Sequence, residues 1–453
     1  MPPIYRGPTI GIDEMRKEWK PGENRVFIPS QISMQEIDEI IRVADHHNVS
    51  DINFQVGDYL RVQIDGKWRR VSNRLLSTPD VEVLLRETYD TTGYSEVVQR
   101  GRPIDYAFVV KPYIKEKDRK LRLRVNATGG RDPSTDSAQA SDGVQMTMRI
   151  LPGIPPTLQE RNIEQSIIDQ FNVDRGLCFI TGPTGSGKTT LLGGGIRHIG
   201  ENPNNAAKII EYSAPIELVY DDIDFGENFI HQLEVGRALR LRPEEGGSSM
   251  VWAACVANAM RRKSDAIVIG EGRDGPTIEG CIMAGMTGHR VYSTMHTMGA
   301  AETIRRAIMA FPPDQREAIA IDMIEIAAMF MTQLLVPRLG GGRIAVREYI
   351  VFDAKSRRKI VNSPLEKWTS ILQDMMINKE VDCQRMIDHA QKLYEAGKIS
   401  ENEYESLAAR QRGLDKIKPI SPDAPAISLG ADAKIPFDTD LDRQIGLEQH
   451  IGA

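Results

Sequence analysis

One segment limits what this chain can be: the apolar run Gly176 to Thr181 ends in Gly182-Pro183-Thr184-Gly185-Ser186-Gly187-Lys188-Thr189-Thr190. The pattern is GxxxxGK[ST], with a strand before it and a helix-compatible stretch after it, the order a phosphate-binding loop requires. Glycines at these spacings let successive backbone N–H groups curl around phosphate oxygens, and the following helix directs its positive end at the same charge. Lys188 is placed to reach the β- and γ-phosphates. The Thr189 hydroxyl is placed to ligate Mg²⁺, whose other positions fall to phosphate oxygens and water. At the average glycine usage of proteins, about 7%, a chance match in a chain this long arises on the order of once or twice in a hundred sequences. The ligands expected are ATP and Mg²⁺.

A second apolar strand, Ala266 to Ile269, ends at Gly270-Glu271 and sets a carboxylate at the carboxyl edge of a parallel sheet, the edge that also holds the phosphates. Glu271 is therefore the candidate that orients or deprotonates the attacking water, with Arg273 and Asp274 continuing into the loop beside it. Thr287-Gly288-His289 precedes the strand-like Val291 to Thr294, and His296 follows it. Both histidines are expected on that same edge, in reach of a γ-phosphate, although a lone histidine is as often a satisfied structural residue.

At 453 residues the chain exceeds what one core usually serves, so two domains are expected. A net charge of −6 argues against a protein that coats DNA. The four cysteines, Cys178, Cys255, Cys281 and Cys383, lie far apart, which signals neither a disulfide framework nor a zinc tetrad and fits a reducing cytoplasm. The start of the sequence is polar rather than signal-like, and no run approaches the roughly 20 apolar residues that span a bilayer. Ile319 to Val336, the longest apolar stretch, reads as an amphipathic helix running into a strand.

The N-terminal part mixes helix and strand: a helix over Met34 to His47, an alternating strand run over Asp51 to Val62, a turn at Asp65-Gly66, a helix over Asp80 to Tyr89 and a strand at Tyr106 to Val110. In Leu121 to Asn126, Arg122 and Arg124 share one strand face, and in Val144 to Ile150 Arg149 takes the polar face. These arginines are equally readable as a solvated face. Gly129 to Gly143 between the two runs reads as a polar, mobile loop. The prolines of Leu151 to Leu158 place the domain boundary there. Ile417 to Ala453, rich in Pro, Ala and Asp, reads as a flexible tail.

Several motifs now agree in order. Ser50-Asp51, Arg124-Val125-Asn126, Gly182 to Thr190, Pro215-Ile216-Glu217, Gly270-Glu271 with Arg273-Asp274, and Thr287-Gly288-His289 through His296-Thr297 resemble the secretion ATPase superfamily of type II and type IV secretion and type IV pili. Thr332-Gln333-Leu334-Leu335, Pro337-Arg338 and Leu393 to Ile399 continue the likeness, the last resembling the C-terminal helices of pilus retraction motors.

The resemblance implies an α/β protein: an N-terminal PAS-like domain over 31–150 after an extension at 1–30, a linker at 151–160, a RecA-like P-loop ATPase domain over 161–415 and a tail at 416–453. It further implies a homohexamer in a closed ring, with ATP between subunits. Arg124 and Arg149 then occupy positions from which N-domain arginines reach the γ-phosphate as arginine fingers. One motif departs from the family: its acidic pair falls on Ser213 and Ala214. Glu211, two residues before Ser213 and on the same strand face, becomes the substitute for polarising Mg²⁺-bound water.

The wording Tyr212 to Glu217 followed by Val219-Tyr220-Asp221, and His296 to Arg306, is most similar to the Dot/Icm and conjugative-plasmid ATPases of type IVB systems. The expected role is a cytoplasmic motor held at the inner membrane by components of a secretion or transfer complex, without stable direct nucleic-acid binding. A pilus retraction motor, a RecA-like nucleic-acid translocase and an ATP-binding assembly scaffold are the alternatives.

Overall fold

The computed structural model describes residues 8–11, 14–20, 23–64, 66–110, 120–131, 143–151, 153–235, 250–272 and 274–414. The expected tail at 416–453, Arg273 and positions 132–142 of the expected loop lie outside the described residues. Two units form, one of Met1–Gly153 with Glu217–Val219, the other of Ile154–Ile216 with Tyr220–Ala453.

The first unit contains β1 (Thr9–Ile10), β2 (Arg25–Val26), β3 (Asp51–Gln55), β4 (Tyr59–Ile64), β5 (Lys67–Leu75), β6 (Ile104–Val110), β7 (Leu121–Gly130) and β8 (Gly143–Leu151). They form one sheet in the order β1-β2-β5-β4-β3-β8-β7-β6. The run read as a single strand over Asp51 to Val62 is instead a hairpin, and Gly57, at φ +77°, supplies the left-handed turn residue between β3 and β4. Period-two alternation makes the sheet one-sided: Leu121, Leu123, Val125, Met146 and Met148 join a core with Ile37, Ile40 and Ile41 of helix Met34–His46 and Val81, Leu84 and Leu85 of helix Thr78–Thr88. Both helices begin at a reciprocal cap, in which the Ser33 and Ser77 amides donate to Glu36 and Asp80. Trp19, Val26 and Ile28, from the stretch read as an extension, are buried in this same core.

The second unit contains β9 (Gly176–Thr181), β10 (Lys208–Ser213), β11 (Phe229–Glu234), β12 (Ala266–Ile269), β13 (Arg290–Met295), β14 (Ala327–Pro337), β15 (Arg343–Val351) and β16 (Cys383–Gln384), in the order β11-β10-β12-β13-β9-β14-β15-β16. Strands β9 to β14 run parallel; β15 and β16 are antiparallel additions at one edge. Both faces are covered, which is why β9 is apolar throughout rather than alternating: Leu177 and Phe179 belong to one core cluster, Cys178 and Ile180 to the other. Such a sheet gathers its functional loops along the carboxyl edge of its strands.

Helix Lys188–Glu201 leaves the phosphate loop and carries three consecutive glycines, Gly193 to Gly195, an unfavourable choice for a helix interior. Packing explains Gly195: a Cβ there would lie 2.0 Å from Cε1 of Phe171, whose ring stacks on Tyr292 at 5.1 Å. Phe171 is fully buried and has nowhere to swing. Gly195→Ala should therefore destabilise the protein by about 1–3 kcal/mol, the overpacking cost outweighing the better helix propensity of alanine. Denaturant unfolding tests this; an unchanged or raised midpoint would refute it.

Candidate active site

Parallel pairing brings the phosphate loop, Glu271 and His296 to one edge. Strand β9 pairs with β13 through Met295↔Thr181, so Gly182 and His296 emerge side by side. Strand β12 pairs with β13 through Ile269↔Ser293, which sets Gly270 and Glu271 beside them. The Glu271 turn is held to β13 at two points: Thr294 Oγ1 donates to the Gly270 carbonyl at 2.5 Å, and the Gly272 amide donates to the Thr294 carbonyl at 2.9 Å. Glu271 Oε1 lies 3.5 Å from His296 Nε2. Asp274 then caps helix Gly275–Met286 by accepting from the Thr277 amide at 2.9 Å.

The phosphate loop has a backbone that only glycine tolerates at three points. Gly182, Gly185 and Gly187 have φ of +138°, +75° and +82°. A Cβ on Gly182 would lie 2.3 Å from the Gln333 carbonyl oxygen and 2.8 Å from Ser186 Oγ. Lys188 is buried and donates to the carbonyls of Gly182 at 2.8 Å and Pro183 at 3.0 Å, which turns its ammonium into the loop. The Ser186 hydroxyl is buried without a hydrogen-bond partner among the described residues. An inward ammonium, an orphaned hydroxyl and a glycine-lined cradle at a helix N-terminus fit a bound polyphosphate. Thr184 and Thr189 are exposed at the loop, with Pro183 and Thr190 half-buried. The Thr189 hydroxyl, in the first turn of the helix, fits the hard oxygen chemistry of Mg²⁺.

Glu211 sits on β10, buried, and its two oxygens are separately held: Ser213 Oγ donates to Oε1 at 2.7 Å and Gln232 Nε2 to Oε2 at 2.8 Å. Strand periodicity foretells the Ser213 contact, whereas Gln232 comes from β11 and nothing local in the sequence signals it.

His289 corrects an expectation. It precedes Arg290, which pairs with Gly176 at the start of β9, and its carbonyl accepts from the Gly176 amide at 3.1 Å. His289 therefore lies at the amino edge and His296 at the carboxyl edge, separated by the whole length of β13. Within one chain His289 cannot share the phosphate site, and its Nδ1 is instead 3.0 Å from the Ala284 carbonyl oxygen.

In the first unit Arg124 and Arg149 are direct cross-strand neighbours on β7 and β8. Arg124 makes a forked contact with Asp105, at 3.3 and 2.8 Å, and Arg149 donates to Asp51 at 2.9 Å. The sequence puts Arg124 and Arg149 each on the polar face of its strand and carries Ser50-Asp51 as a motif, but nothing in it pairs Asp51 or Asp105 with an arginine. Burial pushes the Cys178, Cys255 and Cys281 thiols up to about 12, so none of these three is a thiolate nucleophile near neutral pH.

The family model described as "Type II/IV secretion system protein" matches residues 147–419. The solved structure of the Legionella pneumophila ATPase DotB is 33% identical with a TM-score of 0.73, covering 84% of this chain and 98% of that one. The structure of the pilus retraction motor PilT with bound ADP is 26% identical with a TM-score of 0.66, covering 82% and 96%. In sequence, the type IV pilus retraction ATPase PilT of Pseudomonas aeruginosa is 26% identical over 338 residues, 75% of this chain and 89% of its own.

Proposed function

The chain belongs to the Type II/IV secretion system protein family, an ATPase of the secretion and pilus motor type, and we propose that it powers a type IVB-like secretion or conjugative transfer apparatus. The observation carrying the finer assignment is the likeness to DotB, which extends over nearly all of that chain. A PAS-like first unit and a RecA-like second unit would assemble as a homohexamer, held at the inner membrane through partner proteins. No helix among the described residues is long and apolar enough to cross a membrane. A pilus retraction motor is the second reading, favoured by the likeness to PilT.

In this reading the loop Gly182–Thr189 grips the β- and γ-phosphates of ATP, and Lys188 balances their charge. Thr189 would hold Mg²⁺, which when bound would neutralise charge on the phosphate oxygens. Glu271 orients the water and accepts its proton as the bond between the γ-phosphorus and the leaving ADP breaks, with His296 beside the carboxylate. Buried Glu211, with Ser213 and Gln232 donating to its two oxygens, would polarise water at longer range. Arg124 and Arg149 reach the γ-phosphate of a neighbouring subunit's site and neutralise charge that develops on the transferring phosphoryl group.

A DNA titration tests the proposal against the translocase alternative. ATP turnover by the assembled protein should be unchanged by added single-stranded DNA; a rise of tenfold or more would favour a nucleic-acid translocase instead.

A further inference from the structure

The first residues of β14 beyond its pairing with β9 touch the phosphate loop. Strand β14 follows β9 to Thr332↔Thr181, which puts Gln333 alongside Gly182. Gln333 is 4% exposed and fills the space two loop glycines leave open: a Cβ on Gly182 would meet its carbonyl oxygen, and one on Gly187 would lie 2.9 Å from its Nε2. The side-chain amide is used at both ends, Nε2 donating to the Ser186 carbonyl at 2.7 Å and Oε1 accepting from Arg347 Nε at 3.0 Å. Arginine only donates, so the orientation of the amide is fixed by its neighbour.

Arg347, itself 5% exposed, is locked in turn. Its Nη1 donates to Glu164 Oε2 at 2.8 Å, and its backbone amide donates to His389 Nδ1 at 3.1 Å, on helix Met386–Glu395. Glu164 Oε1 accepts from Gln384 Nε2 at 2.9 Å. Burial pushes the His389 imidazole below its usual range, with opposing influence from Glu164, which suits its role as an acceptor. A chain of directional bonds, buried at the phosphate loop and half-buried further out, thus runs from that loop to helix Met386–Glu395 within the second unit.

We propose that Gln333 is a positioning residue for phosphate recognition, held in register by Arg347, Glu164 and His389. In a trans peptide the carbonyl and the next N–H point in opposite directions. Tying the Ser186 carbonyl outward to Gln333 therefore aims the Gly187 N–H into the cradle, where a nucleotide's phosphates require it. The inference rests on the ATPase reading and adds a residue outside the loop motif, on a strand 147 positions away.

The test is Gln333→Glu, which keeps the partner of Arg347 but offers no N–H to the Ser186 carbonyl. The KM for ATP and the Kd for ADP should rise roughly tenfold to a hundredfold, the range for loss of one buried hydrogen bond. Affinity for AMP and kcat should change less than threefold, because the contact serves ground state and transition state alike. A purely structural role would instead weaken ADP and AMP binding together, and that result, or ADP affinity within twofold of the unsubstituted protein, overturns the inference. Should Gln333→Glu fail to fold, Arg347→Lys is measured on the same scale, with a threefold or larger selective loss for ADP expected and no loss contradicting it. An unsubstituted protein that binds no ADP would sink the ATPase reading itself, a separate outcome.

Discussion

Glu271→Gln lowers ATP turnover by roughly a hundredfold to ten-thousandfold, the usual worth of a positioned general base, while ADP binding stays within about threefold. The expectation follows from the edge geometry. Glu271 follows β12, shares the carboxyl edge with Gly182 and lies 3.5 Å from His296 Nε2. Glutamine preserves the volume, and the two bonds that anchor the turn through Thr294 do not involve the carboxylate. A fold defect would depress binding and turnover together, so single-turnover hydrolysis measured alongside ADP titration separates the two. Unchanged hydrolysis would mean that another group handles the water, with Glu211 the first to examine.

Arg124→Ala is expected to lower turnover roughly 10³-fold or more, as for other arginines that act in trans on a transferring phosphoryl group. Arg124 is engaged with Asp105, and 36% of its side chain is exposed. An exposed ion pair of this kind contributes no more than about 1 kcal/mol, whereas a 10³-fold rate effect corresponds to about 4 kcal/mol. Exchange of Asp105 for a γ-phosphate is therefore affordable energetically. Mixing Arg124→Ala with Lys188→Ala chains should restore part of the activity, because an intact loop on one chain meets an intact arginine from its neighbour. No restoration beyond simple dilution would contradict action across an interface.

What was legible in the sequence was local. The loop from Gly182 to Thr190, the carboxylate after Ala266–Ile269 and the alternating arginines of Leu121 to Asn126 each depend on a few adjacent residues and a known backbone period. His289 was misplaced because a residue before a parallel strand lies at the opposite edge from one after it; strand direction alone would have separated it from His296. The hairpin within Asp51 to Val62 was hidden because Gly57 interrupts an alternation that looks continuous. Long-range partners left no trace: Asp51 meets Arg149 across 98 positions, and Gln384 meets Glu164 across 220. Such pairs are created by sheet order, and sheet order is set by packing of the whole unit rather than by any short pattern.

The most direct measurement is equilibrium binding of adenosine, AMP and ADP to the purified, assembled protein in Mg²⁺. If the Gly182–Thr189 loop grips terminal phosphates, ADP should bind at least tenfold more tightly than AMP, and Lys188→Ala should erase that difference. Equal affinity for ADP and AMP, or no binding of either by a folded assembly, would contradict the account.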